Sequence, residues 1–167
     1  PYRGILYLGG MVDKKGKVYV IEFNARWGDP EAQVIVPSIK NDLYVVAAMV
    51  TGGKIDKVKI KKDKFYRIVV TAASRGYPND YSQVVGKEIF GLEQIIKSNN
   101  IKIFGAGIKR LKLKYLASGG RLFYVTAQGK DVLEARQIAY NVLSSIFVEG
   151  NNLHYRTDIG YRDLERI

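Results

Sequence analysis

The sequence predicts an α+β fold in two parts, and three observations carry that prediction. An alternating run at residues 18–24 follows the apolar residues 3–11 across a short polar loop ending in Gly16, the pattern of an antiparallel hairpin. Beyond residue 64 the order is strand, strand, strand, helix, which suits a small antiparallel sheet with one helix packed on it. Between these parts residues 54–64 are charged and poor in large apolar side chains. Residues 56–64 therefore read as a linker between a first part, 1–55, and a second domain, 65–167.

Taken in order, residues 3–11 form a strand, small and apolar, leading through Asp13-Lys14-Lys15-Gly16 into the strand at 18–24. Side chains alternate along a strand, so Tyr19, Ile21 and Phe23 share one side while Val20, Glu22 and Asn24 share the other. The same parity carries on to Arg26. Gly28-Asp29-Pro30 then breaks the run, and Pro30 suits the first turn of a helix beginning near Glu31. Residues 31–39 are short helical or irregular, interrupted by Pro37. Asn41-Asp42 caps a helix over 43–50 that Gly52-Gly53 ends. In the second domain residues 65–73 are a strand, 75–80 a loop of turn formers, and 91–98 a short helix. Residues 102–110 and 121–127 are strands, the latter entered through a turn at Gly119-Gly120. Asp131, with Glu134 three residues on, caps a helix whose stripe is Val132, Ala135, Ala139, Val142, Leu143 and Ile146.

A length of 167 residues and 47% hydrophobic content suffice for one domain or a little more. No cysteine is present, which excludes a disulfide framework, a thiolate metal site and a thiol nucleophile, and agrees with a cytoplasmic location. No apolar run reaches membrane-spanning length. The net charge of +11 invites nucleic-acid binding, yet the lysines of 54–64 and 109–114 lie mostly without interleaved aromatics. They read as solvated faces, and neither nucleic acid nor membrane is an expected partner.

The chemistry-bearing residues cluster at the end of the second strand. Glu22 and Asn24 lie roughly 7 Å apart on one face and offer a carboxylate and an amide oxygen. Mg²⁺ takes one or two such hard ligands and fills its octahedron with water and substrate phosphates. Arg26, on the same parity, offers a fixed cation for phosphoryl oxygens. Read blandly, Glu22 and Asn24 are strand-end polar residues and Arg26 a surface ion-pair partner. Asp29 is either a turn residue or N-cap, or a carboxylate for a substrate amine. Glu31 reads as a first-turn helix acid, and His154, the single histidine, as an exposed side chain. No serine has an evident base partner, and neither a dinucleotide fingerprint nor a GxxxxGK loop occurs.

EFNARWGDPEAQ at residues 22–33 resembles the signature of the phosphoribosylamine-glycine ligase (glycinamide ribonucleotide synthetase) family of the ATP-grasp superfamily, close to EFNxRFGDPExQ. The resemblance runs through YRGILYLGGM, ASRGYPNDY, FGAGIKR, SGGRLFYVTA, QIAYNVL and RTDIGYR in order. Trp27 departs from the usual Phe or Leu, and FGAGI from FHAGT, so Gly105 and Ile108 receive no site role. Where many ATP-grasp enzymes carry a second metal carboxylate on the neighbouring strand, this chain has Gly9 or Gly10, and the resembled family likewise has glycine. The resemblance implies that residues 1–55 are the C-terminal segment of an ATP-grasp domain and that the chain is the C-terminal portion of a longer enzyme. It also implies ATP-dependent joining of glycine to 5-phosphoribosylamine through glycyl phosphate in purine synthesis. Glu22 and Asn24 would hold Mg²⁺ or Mn²⁺, Arg26 the ATP phosphoryl group, and Asp29 an amine. The missing N-terminal portion would supply the remaining nucleotide contacts, and the fragment alone is expected to be inactive. The rival readings are another ATP-grasp carboxylate-amine ligase and a non-catalytic basic nucleic-acid-binding module.

Overall fold

The computed structural model describes residues 1–95 and 99–164. Its contacts divide it into two compact units, Pro1–Asp63 and Lys64–Ile167.

In the first unit β1 (Tyr7–Val12) pairs antiparallel with β2 (Val18–Asn24). The turn between them is held by Asp13, whose Oδ1 accepts from the amides of Lys15 at 2.8 Å and Lys17 at 2.9 Å, while Gly16 takes φ +82°. An L-residue with a side chain is strained there. The expected strand over 3–11 is shorter than predicted and begins only at Tyr7, because residues 3–6 have no partner strand to extend the ladder. Two helical segments follow, α1 (Ala32–Ile35) with a 3₁₀ turn Val36–Ser38, and α2 (Leu43–Thr51). Asp42 caps α2, its carboxylate accepting from the amides of Tyr44 and Val45. Gly53, at φ +69°, ends it. Residues 55–62 return to this unit: Asn41 Oδ1 accepts from the Lys61 amide at 2.6 Å, and Ile39 bridges to Lys62.

The second unit holds the core. Its first sheet has the order β10-β3-β8-β5, built from β3 (Tyr66–Ser74), β5 (Ile101–Gly105), β8 (Arg121–Gly129) and β10 (Leu153–His154). The second has the order β6-β7-β4-β9, from β4 (Glu88–Phe90), β6 (Ile108–Leu111), β7 (Lys114–Ala117) and β9 (Phe147–Val148). Every residue from Leu122 to Ala127 is buried, so β8 is covered on both faces. Removing side chains such as Phe123 and Leu143 from water contributes about 1.5–3 kcal/mol each. Helix α4 (Val132–Ser144) packs on β3 and β8 through Ala135, Ala139, Val142 and Leu143. Asp131 caps it as predicted, accepting from the Glu134 amide at 2.8 Å, while Glu134 Oε2 accepts from the Lys130 amide at 2.6 Å.

The single strand expected over 102–110 is two strands, one in each sheet. Gly107 is the reason. A Cβ there would sit 2.6 Å from the Arg121 carbonyl oxygen and 2.7 Å from Gly119 Cα, so the chain presses against the β8 entry and leaves the first sheet. Of the helix expected over 91–98, α3 is described at Leu92–Ile95, and 96–98 lie outside the described residues. The last short helix is α5 (Tyr161–Leu164). Among the described residues no helix is long and apolar enough to cross a membrane.

Candidate active site

The residues singled out at the end of β2 lie beside β1 in the first unit. Register pairs Gly9 with Glu22 and Tyr7 with Asn24, and directly opposed residues of an antiparallel pair project to the same face. Tyr7, Gly9, Glu22 and Asn24 therefore share one patch. A bulge between Gly9 and Gly10 pairs Gly10 with Val20, so the alternation predicted along the whole of 18–24 is interrupted at Ile21. Glu22 and Asn24 both lie beyond the interruption and keep a common face.

Gly9 is what lets Glu22 lie across the hairpin. A Cβ at position 9 would stand 2.9 Å from Glu22 Cγ and 3.6 Å from Oε1. The carboxylate itself is exposed. Asn24 is half-buried, and its Nδ2 is buried without a hydrogen-bond partner. Such an orphan costs about 1–3 kcal/mol unless a ligand satisfies it. A half-turn of the amide exchanges its nitrogen and oxygen, so this point can present a donor or an acceptor.

Arg26 lies past the end of β2, in a bend, so strand parity does not extend to it. Its exposed guanidinium donates Nη1 to the Trp27 carbonyl at 2.9 Å. Asp29 is exposed in the turn before α1 and accepts from Gln33 Nε2 at 3.0 Å. The N-cap position belongs to Glu31, not Asp29.

Glu31 stands at the start of α1, as expected, but its carboxylate serves a contact elsewhere. At the N-cap of α1 its side chain makes no capping bond. The carboxylate reaches back to β1, where Oε1 accepts from the Tyr7 hydroxyl at 3.0 Å. Oε2 lies over Gly28, the one buried residue of 1–63, where a Cβ would approach to 2.4 Å. The Tyr7 phenol is raised above its ordinary pKa, first by donation to Glu31, then by desolvation, then by the charges of Glu31 and Glu22. It stays a donor at neutral pH. Tyr7 and Glu31 thus lie beside Glu22 and Asn24 as further candidates, neither of them singled out for a site role from the sequence. The signal available was the Glu of the GDPE turn, which lies inside the matched motif.

Among the described residues no group of three His, Cys, Asp or Glu is placed to hold a metal ion. Mg²⁺ needs no such group, only one or two protein oxygens. Glu22 and Asn24 fit that demand.

The other motif blocks meet in the second unit. A Cβ at Gly120 would lie 2.2 Å from Tyr77 Cδ2, and Arg121 Nε donates to the Tyr77 hydroxyl at 3.0 Å. ASRGYPNDY and SGGRLFYVTA are thereby in contact. QIAYNVL and RTDIGYR meet where Tyr140 donates to the Arg156 carbonyl at 2.8 Å. Beside them Arg136 donates to the carbonyls of Thr157 and Ile159. The departures at 105 and 108 touch each other: a Cβ on Gly105 would meet Ile108 Cδ1 at 3.1 Å, so loss of the larger residue makes room for the isoleucine.

Comparison with known proteins agrees with this convergence. Residues 67–162 match the family model "Phosphoribosylglycinamide synthetase, C domain". Phosphoribosylamine--glycine ligase of Haemophilus influenzae is 41% identical over 165 residues, covering 99% of this chain and 37% of that protein. The ligase of Caldanaerobacter subterraneus subsp. tengcongensis is 40% identical over 158 residues, covering 95% and 36%. The crystal structure of phosphoribosylamine--glycine ligase from Thermotoga maritima superposes with TM-score 0.69 at 31% identity, covering 92% of this chain and 36% of that one. The chain thus spans little more than a third of these relatives' length. With more than half its residues inside the family model and its motif blocks packed pairwise, the chain belongs to the phosphoribosylglycinamide synthetase family.

Proposed function

We propose that this chain is the C-terminal portion of an ATP-dependent ligase that joins glycine to 5-phosphoribosylamine, and that residues 1–55 are the end of its ATP-grasp domain. The observation that carries the reading is 41% identity to a phosphoribosylamine--glycine ligase across 99% of the chain, motif strand included. A carboxylate does not accept an amine at neutral pH, because oxide would have to leave. Phosphorylation by ATP gives glycyl phosphate, from which phosphate departs. Such transfer asks the protein mainly for positioning and charge neutralisation.

Glu22 and Asn24 are the residues for Mg²⁺ or Mn²⁺, which when bound neutralises charge on the terminal ATP phosphates. Arg26 holds the transferring phosphoryl oxygens with the part of its guanidinium fork not given to Trp27. Asp29 faces a substrate amine. The test is ADP release by the full-length polypeptide, offered glycine and phosphoribosylamine and then alternative acids and amines. ADP formation that depends on both named substrates supports the reading. Equal turnover of another acid and amine refutes it in favour of a different ATP-grasp ligase.

A further inference from the structure

Glycine brings two charges to its site, and the residues proposed above serve mainly one of them. Its carboxylate must lie toward the phosphoryl donor, near Glu22, Asn24 and Arg26. Its ammonium then needs an anion held a few ångströms away, in the same wall. We propose that Glu31 takes that ammonium group, that Tyr7 is the residue that positions Glu31 for it, and that Asp29 is left to the incoming amine. This rests on the ligase reading given above.

The geometry divides the Glu31 carboxylate into a fixed oxygen and an offered one. Oε1 is held by the Tyr7 hydroxyl at 3.0 Å. Oε2 lies in the space that Gly28 leaves open and has no other partner among the described residues. Tyr7 stands directly opposite Asn24 on the face that carries Glu22, so its hydroxyl carries the Glu31 carboxylate to the metal-side patch. Two features argue that this placement is not incidental. The carboxylate turns to Tyr7 on the neighbouring hairpin, since the first-turn amides of α1 are satisfied by backbone carbonyls, and the buried Asn24 amide nitrogen beside Tyr7 lacks a partner that a substrate carboxylate oxygen would supply. Asp29 is a poorer ammonium site, being exposed and bonded to Gln33. An ammonium suits a carboxylate oriented by a neutral donor, since charge-assisted hydrogen bonds are the strong ones.

The experiment measures binding of glycine and of acetate, which lacks the ammonium, to the full-length polypeptide by calorimetry, beside steady-state kinetics and Mg²⁺ titration. The parent should prefer glycine over acetate. Glu31→Gln should weaken glycine by about 30-fold, the size of one lost charge-assisted hydrogen bond, while leaving acetate and the Mg²⁺ midpoint unchanged. Tyr7→Phe, which keeps the ring and the fold, should raise the glycine KM several-fold with little change in kcat. Glycine affinity in Glu31→Gln within threefold of the parent overturns the inference. So does a shifted Mg²⁺ midpoint at unchanged glycine affinity, which makes Glu31 a metal ligand. A parent that uses glycine while both variants behave normally sinks this inference alone, whereas a parent that ignores glycine sinks the ligase reading.

Discussion

Single residues decide the chemistry, and two of them separate the proposed roles cleanly. Glu22→Ala in the full-length polypeptide removes the exposed carboxylate that Gly9 accommodates. A Mg²⁺ titration of ATP turnover should move to much higher metal, with the glycine KM little changed; an unmoved titration excludes Glu22 as a ligand. Arg26→Ala should lower turnover by about 3 kcal/mol, on the order of 100-fold, as with other fixed charge donors. Turnover within a few-fold of the parent would show that the guanidinium serves only the Trp27 carbonyl. At this scale legibility was uneven. Glu22 and Asn24 could be paired from the sequence because strand alternation is local. Tyr7 and Glu31 could not, because their contact spans 24 positions and depends on a register and a turn that no short window contains.

Elements come next, and their strength lies in their ends. Asp131→Ala removes the bond to the Glu134 amide, a loss of about 1 kcal/mol, and should lower the melting temperature of the second unit by about 5 °C. Scanning calorimetry measures it, and an unchanged melt would mean that Glu134 and Lys130 hold the start of α4 unaided. Acid should act on the same unit. Asp80 is lowered by the Ser82 amide, Glu149 by the Glu88 amide and then Lys87, and Asp158 by Arg156. Each lowered carboxylate stabilises the fold above its ordinary range and loses that contribution as pH falls through its depressed value. Stability should therefore hold from pH 7 to about 5 and fall below about 4, with the melt at pH 3 below that at pH 6. These pairs are exposed, and added salt should reduce the effect of the two ion pairs. The helix over 132–144 was legible because its cap and its 3.6-residue stripe are local. The sheet switch at Gly107 was not, since only contact with Gly119 and Arg121 reveals why the strand divides.

At the scale of the whole chain the two units differ in what they bury. Residues 1–63 bury only Gly28, and β2 leaves Val18, Val20, Ile21 and Phe23 more than half exposed. The second unit has a continuous core through β3, β8 and α4. Hydrogen exchange on the 167-residue chain should find amides of β8 and α4 protected and those of β1 and β2 exchanging fast, since protection follows buried apolar contact; equal protection would contradict the division. The chain alone should release no ADP from ATP with glycine and phosphoribosylamine, because it spans 37% of the ligase it matches. Turnover by it would refute the reading that further chain completes the site. The sequence by itself determined the hairpin, the capped helices, the motif strand and the family resemblance, for these rest on spacing over a few residues or on order along the chain. Only the tertiary structure decided that β8 is buried on both faces, that one predicted strand serves two sheets, and that Glu31 turns from its helix to Tyr7. Those outcomes depend on which distant backbone lies close enough to forbid a Cβ or accept a proton, and no local pattern encodes that.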